Sequence, residues 1–287
     1  MGNRRKTNEE VRNAEMEGRG TPNAEMANLW DANLNSRVWT NVWTHVRWMT
    51  VLPDDLPISE INIPGAHNAA AIHPVRRTRW ACQCHPIGEQ LRRGIRLLDI
   101  RLKPKVRSGR ASMQSRQGGR RYEFVTCHGR RGLPGQNEFQ RFETLQKECV
   151  DFLQENPGET IIMSIQVDDW RRVRRGDRAQ VLEVLRRQLH EWPIFAPAHL
   201  PTLGECRGKI FLINRINDDP TLGVPLDIPD NTPGATLPAT EDRRYEVYVQ
   251  DQYRGLDRRN PEAHKLRLTL GAFEQKKAGV VLLNFAS

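Results

Sequence analysis

Ile95-Arg96-Leu97-Leu98-Asp99-Ile100-Arg101-Leu102 is the stretch on which the reading of the fold turns. It is a short β-type run whose polar residues gather at its carboxyl end. Asp99 and Arg101, two apart, share one face of a strand. Similar runs lie at 59–63, 123–127, 160–165, 209–214, 245–250 and 280–285. Helical patterns fall between them, at 87–93, 139–155, 177–191 and 260–277, and Asn156-Pro157-Gly158 stops the second of these. Alternation of this kind predicts an α/β fold with a mostly parallel sheet covered by helices.

The ends of the strands carry the chemistry. The first run leads into Pro64-Gly65-Ala66-His67-Asn68, the second into Asp99-Ile100-Arg101 and the third into Cys127-His128-Gly129. Two later ones run into Asn214-Arg215 and Asp251-Gln252-Tyr253. Each residue alone has an ordinary structural explanation. Their repetition at the same end of five strands fits a barrel, in which these ends converge on one face. Two histidines flanking an arginine suit the cleavage of a phosphodiester by an alcohol. One imidazole takes the proton of the attacking hydroxyl, the other returns one to the leaving oxygen, and the guanidinium stabilises the phosphoryl oxygens.

Charge points the same way. The 287 residues hold 44 basic and 35 acidic side chains, a net of +9, and the basic set is 36 Arg to 8 Lys. Arginine's planar fork matches phosphate. Residues 101–131 contain ten basic residues and one acidic one, Glu123, and so account for the whole excess. An anionic partner is implied, whether nucleic acid, a membrane surface or a phosphorylated substrate. No apolar run reaches the length of a membrane-spanning helix. The five cysteines lack paired C-x-x-C spacing, and Cys82, Cys84 and His85 are half a metal site without a second half.

Residues 1–28 read as a polar, solvated tail. Residues 29–49 read as a tryptophan-rich helix, with Val38, Val42 and Val46 at i, i+4 spacing beside Trp39 and Trp43. Residues 29–287 are expected to form one catalytic barrel with a basic insertion at 102–121. The opening Met-Gly-Asn-Arg-Arg-Lys is not followed by an apolar segment of the signal-peptide kind, and Lys6 stands where a myristoylation signal carries Ser or Thr. The expectation is a cytoplasmic protein that associates peripherally with membranes.

These residues resemble the X-domain family of phosphatidylinositol-specific phospholipase C. The resemblance begins with Trp48-Met49, Leu52-Pro53, Pro57-Ile58-Ser59 and Ile63-Pro64-Gly65-Ala66-His67-Asn68. It continues through Glu89-Gln90-Leu91, the Gly94-to-Arg101 run, His128-Gly129, Phe152-Leu153, Asn156-Pro157 and the Glu159-to-Ser164 run. Gly208-Lys209-Ile210, Val249-Gln250-Asp251-Gln252-Tyr253 and Asn284-Phe285 follow in family order. The resemblance implies an irregular TIM-type (β/α) barrel that here ends after its seventh strand. It also implies release of diacylglycerol and a cyclic inositol phosphate from an inositol phospholipid. By position, His67 is similar to the general base on the inositol 2-hydroxyl and His128 to the general acid toward the glycerol oxygen. Arg101 is similar to the phosphate-contacting arginine of the bacterial, metal-independent branch, with Asp99 its neighbouring carboxylate. Arg215, Asp251 and Tyr253 are similar to positions that hold the inositol ring.

The departures bear on mechanism. Asn68 stands where the bacterial branch has aspartate and the calcium-dependent branch a ligand asparagine. Arg101 replaces that branch's ligand aspartate, and a guanidinium does not coordinate a cation. Gln166 lies where the bacterial type has lysine and the calcium type glutamate; with Asn68 it is assigned to substrate binding. Asp99 is then the one anionic ligand left, so no cofactor is expected and Ca²⁺ is the lesser alternative. The family's aspartate that orients the general base lies in a final segment beyond the seventh strand, so His67 is expected to need another carboxylate.

The expected partners are an inositol phospholipid substrate and, transiently, an anionic membrane surface reached through the arginine-rich insertion. Nucleic acid is not among them, and the protein is expected to be a monomer. Two alternatives stand beside the phosphodiesterase: a catalytically impaired inositol-lipid-binding protein, and a glycerophosphodiester phosphodiesterase-like barrel. The latter wants His-Arg after the first strand and an acidic metal cluster.

Overall fold

A strand buried on both faces sends alternate side chains into two different environments. The computed structural model describes residues 45–72, 81–107, 121–128, 138–168, 170, 173–216, 222–229, 231–238, 246–252, 254–275 and 277–284. The tail at 1–28, the tryptophan-rich helix up to residue 44, most of the basic insertion and Tyr253 lie outside the described residues.

In chain order the strands and helices are β1 (Gly65–Ala66), α1 (Ile87–Arg92), β2 (Leu97–Val106), β3 (Tyr122–Cys127), β4 (Glu138–Arg141), α2 (Phe142–Glu155), β5 (Ile161–Val167), α3 (Arg178–His190), β6 (Ile194–Phe195), α4 (Leu203–Cys206), β7 (Ile210–Asn214), β8 (Val224–Pro225), β9 (Ala235–Pro238), β10 (Glu246–Gln250), α5 (Pro261–Glu274) and β11 (Val280–Asn284). β1, β2, β5, β7 and β8 form a parallel series, and β10 pairs in parallel with β11. Among the described residues these are two sheets, not one hydrogen-bonded ring.

The interior joins the two sheets. Leu97 of β2, Ile162 of β5, Phe211 and Ile213 of β7, Val224 of β8, Val247 and Val249 of β10, and Val281 and Leu283 of β11 belong to one buried cluster. Met49, Ile58, Ile61, Leu203 and Cys206 join the same cluster. The alternate residues, including Leu98, Ile100, Met163, Ile165 and Leu212, pack outward against Ile87 and Leu91 of α1, Phe142, Leu145, Cys149 and Phe152 of α2, and Val181, Leu185 and Leu189 of α3. Helix spacing of i, i+3/i+4 and i+7 supplies those apolar faces. α5 begins with Asn260 Oδ1 accepting from Ala263 N at 3.0 Å, with Pro261 in its first turn.

Three expectations are corrected. The stretch 59–63 is not the first strand: Ile58–Glu60 is a 3₁₀ turn, with Ile58 N donating to Pro201 O, and the strand is the two residues of β1. β3 runs antiparallel to β2 as a hairpin partner, so it is not a parallel stave. The start of the second predicted helix is instead β4, paired with β3. Residues 102–106, at the head of the basic stretch, are the second half of β2.

A buried ion pair ties the segment at 46–50 to the barrel. Arg96 and Glu159 are both fully buried, and Arg96 Nη2 and Nε donate to Glu159 Oε2 at 2.8 and 2.9 Å. Arg96 also donates to the carbonyls of Leu91, Ile95 and Val46, and stacks over the Phe152 ring. Glu159 Oε1 accepts from Thr50 N and Oγ1, both at 2.8 Å. Partners on this many atoms offset the cost of burying two charges. Among the described residues no helix is long and apolar enough to cross a membrane.

Candidate active site

The inner face of the barrel turns from apolar to polar toward the strand carboxyl ends. On β2 the inward residues after Leu97 are Asp99 and Arg101. On β5 the residues after Ile162 are Ser164 and Gln166, and the ladder sets Asp99 opposite Ser164 and Arg101 opposite Gln166. Arg215 follows inward-facing Ile213, its N–H donating to Ile165 O at 2.9 Å. Asp251 follows Val249 and donates through its backbone to Thr232 O at 2.7 Å. A period of two explains why an apolar floor and a polar layer come from the same strands.

His67 enters this layer from β1. Gly65 and Ala66 pair with Leu97 and Leu98, so His67 comes level with Asp99. A Cβ at Gly65 would meet Leu97 Cδ2 at 2.8 Å, so a larger residue there would have to displace the buried Leu97 side chain or move β1 away. Asn68 adopts φ of +47°, a left-handed conformation that asparagine tolerates. Its N–H donates to Asp99 Oδ2 at 3.1 Å, and Ala69 N donates to Asp99 O at 2.9 Å. Gln83 Nε2 donates to His67 O at 2.9 Å.

The charged groups meet at Asp99. Its Oδ2 is 3.1 Å from His67 Nδ1 and 3.6 Å from Arg101 Nε; its Oδ1 is 3.5 Å from Arg215 Nη1. Asp251 Oδ1 lies 3.5 Å from His67 Nδ1. Burial would raise Asp99, but Arg101, His67 and Arg215 outweigh it and hold the carboxyl at about 2. Burial pushes Asp251 up to about 6, with the Asp99 charge adding to the rise. Burial brings His67 down to about 4; Asp99 opposes this, while Arg101, His128 and Arg215 assist it. At neutral pH the layer therefore holds a neutral His67 facing two carboxylates, beside two guanidinium groups. That arrangement accepts a proton at the imidazole and an anion at the arginines.

His128 arrives by a different route from the one read in the sequence. The β2–β3 hairpin pairs Leu102 with Thr126, so the returning chain leaves β3 at His128, beside the Asp99–Arg101 end of β2. Cys82 Sγ is 3.3 Å from His128 Nδ1, and Asn68 Nδ2 reaches that sulfur at 3.9 Å. The structure thus gathers His67, Asn68, Asp99, Arg101, His128, Arg215 and Asp251. Gln166 shares the inner face opposite Arg101, and Tyr253 lies outside the described residues. Two residues were missed. Ser164 was legible from the alternation of β5, whereas Cys82 carried no periodic signal.

The model of the family described as phosphatidylinositol-specific phospholipase C, X domain, matches residues 55–216, more than half of the chain. The chain belongs to this family. The chain is similar to two curated proteins named 1-phosphatidylinositol phosphodiesterase. The one from Staphylococcus aureus (strain Newman) is 28% identical over 182 residues, covering 59% of this chain and 50% of the relative. The one from Listeria monocytogenes is 24% identical over 198 residues, covering 65% and 52%. The chain thus spans about half the length of these relatives. Among solved structures, a double mutant of the S. aureus phosphatidylinositol-specific phospholipase C superposes with a TM-score of 0.62 at 22% identity, over 85% of this chain and 77% of that one. The L. monocytogenes enzyme gives 0.54 at 22% identity, over 84% and 78%. These likenesses establish the X domain of this chain as a TIM-type barrel.

Among the described residues, no group of three or more His, Cys, Asp or Glu side chains is placed to hold a metal ion. The donor set fits a hard cation poorly. Asp99, the carboxylate at the centre, already faces two guanidinium groups and an imidazole.

Proposed function

We propose that the protein cleaves phosphatidylinositol, or a closely related inositol phospholipid, to diacylglycerol and a cyclic inositol phosphate. The observation that carries this reading is the convergence of His67, Asp99 and Arg101 at the carboxyl ends of adjacent parallel strands. Asp99 and Asp251 face Nδ1 of His67, which favours the tautomer with its proton on Nδ1. Nε2 is then the free base that takes the proton of the inositol 2-hydroxyl. The oxygen attacks phosphorus in line, the P–O bond to glycerol breaks, and His128 returns a proton to that glycerol oxygen.

Arg101 contacts the phosphoryl oxygens and stabilises their charge in the transition state. Arg215 and Asp251, with Tyr253, Asn68 and Gln166, hold the inositol ring. The two carboxylates at Nδ1 stabilise the imidazolium formed during the step. The reaction is read as metal-independent because a cation beside Asp99 would meet Arg101 and Arg215. Association with the membrane is read as peripheral, drawn by the basic stretch between Arg101 and Arg131.

Vesicles test the substrate class. The protein is incubated with phosphatidylinositol vesicles and, separately, phosphatidylcholine vesicles, and water-soluble products are followed by ³¹P NMR. A cyclic inositol phosphate signal from the first alone is the expected result. No product from phosphatidylinositol at any enzyme concentration, with binding to those vesicles retained, favours the impaired lipid-binding protein.

A further inference from the structure

Cys82 lies in the same segment that seats His67. Its N–H and that of Gln83 donate to Ala71 O at 2.8 and 3.1 Å, while the Gln83 side chain holds His67 O. From this fixed position its sulfur stands 3.3 Å from His128 Nδ1, in contact with Asn68 Nδ2, on an exposed residue. We propose that Cys82 is the positioning residue for His128, holding the ring through Nδ1 so that Nε2 faces the leaving oxygen. The proposal rests on the phosphodiesterase reading for the role of His128.

A thiol is a weak donor and a weak acceptor. It donates to Nδ1 of a neutral imidazole that carries its proton on Nε2, accepts from Nδ1–H of an imidazolium, and goes on accepting once Nε2 has given its proton to the leaving oxygen, so the contact survives both halves of a proton-donation cycle. A carboxylate at this place only accepts, and so would hold the proton on Nδ1 of the neutral ring as well as of the charged one. Partial burial pushes the Cys82 thiol above its ordinary range, which fits a protonated sulfur at rest.

The test uses the full chain with Cys82→Ala and Cys82→Ser. ¹⁵N NMR of the His128 ring, assigned with His128→Gln, reads the positioning without reference to turnover. Wild type and Cys82→Ser are expected to share one dominant tautomer with its proton on Nε2, and Cys82→Ala to show a mixture. On phosphatidylinositol vesicles, Cys82→Ala is expected to lose about 10- to 100-fold in kcat with little change in KM, and Cys82→Ser to recover most of it. Wild-type ring signals in Cys82→Ala would overturn the proposal. A wild-type protein without turnover would contradict the phosphodiesterase reading, and the ring spectra would still decide the place of Cys82.

Discussion

Asp99 Oδ2 lies 3.1 Å from His67 Nδ1, and the same carboxylate is flanked by Arg101 and Arg215. One buried charge therefore faces both the proposed base and the proposed phosphate-binding arginine. Asp99→Asn keeps the shape but removes the charge that fixes the tautomer and supports the imidazolium. A loss of about 10²- to 10⁴-fold in kcat on phosphatidylinositol vesicles is expected, with the circular dichroism spectrum unchanged. A kcat within twofold of wild type would remove Asp99 from the mechanism.

The pH dependence separates His67 from Asp251. His67, lowered to about 4, stays neutral from pH 5 to 8, whereas Asp251, raised to about 6, gains its proton inside that range. As pH falls, the carboxylate at 3.5 Å from Nδ1 is lost before the imidazole itself is protonated. The acid limb of kcat/KM for wild type is expected near 6. In Asp251→Asn it should drop toward 4, on a lower plateau. A limb that stays near 6 in the variant would assign that titration to another group.

Much of this site was legible because β2 and β5 obey a period of two. Leu97, Asp99 and Arg101 declare one face, and the pairing partners Ser164 and Gln166 declare its continuation. His67 was legible from its place after a strand, although that strand is the two residues of β1 and not the run at 59–63. The antiparallel return of β3 was not legible, since a strand's sequence does not record its direction. β8 spans two residues and leaves no pattern. Cys82 and the Arg96–Glu159 pair depend on contacts across the fold, which local periodicity does not report.

Asp251 also bears on stability. A carboxyl raised from its ordinary value to about 6 disfavours the folded state above that pH. The penalty is absent below the unfolded pKa, grows as pH rises through 4 to 6, and is complete above 6. Asp251→Asn removes it, and is expected to stabilise the protein by about 1–3 kcal/mol at pH 8. The gain should vanish near pH 4. Urea titrations at the two pH values measure it, and an equal gain at both would contradict the assignment.

The Arg96–Glu159 pair makes a prediction away from the chemistry. Glu159→Gln leaves the Arg96 charge buried without its counter-ion, and weakens the hold on Thr50. A loss of about 3–5 kcal/mol in urea unfolding is expected. Turnover per folded molecule at low temperature should remain near wild type. Full stability in this variant would mean that water or a neighbouring group compensates the guanidinium.

The acid–base assignment is tested most directly by product formation from phosphatidylinositol vesicles with wild type, His67→Ala and His128→Ala, each with and without a chelator of divalent cations. The proposed chemistry predicts cyclic inositol phosphate from wild type at a rate the chelator does not change, and a fall of about 10²-fold or more in each variant. Turnover close to wild type in either variant would contradict the base and acid roles. Loss of wild-type turnover in chelator would contradict the metal-independent site built around Asp99, Arg101 and Arg215.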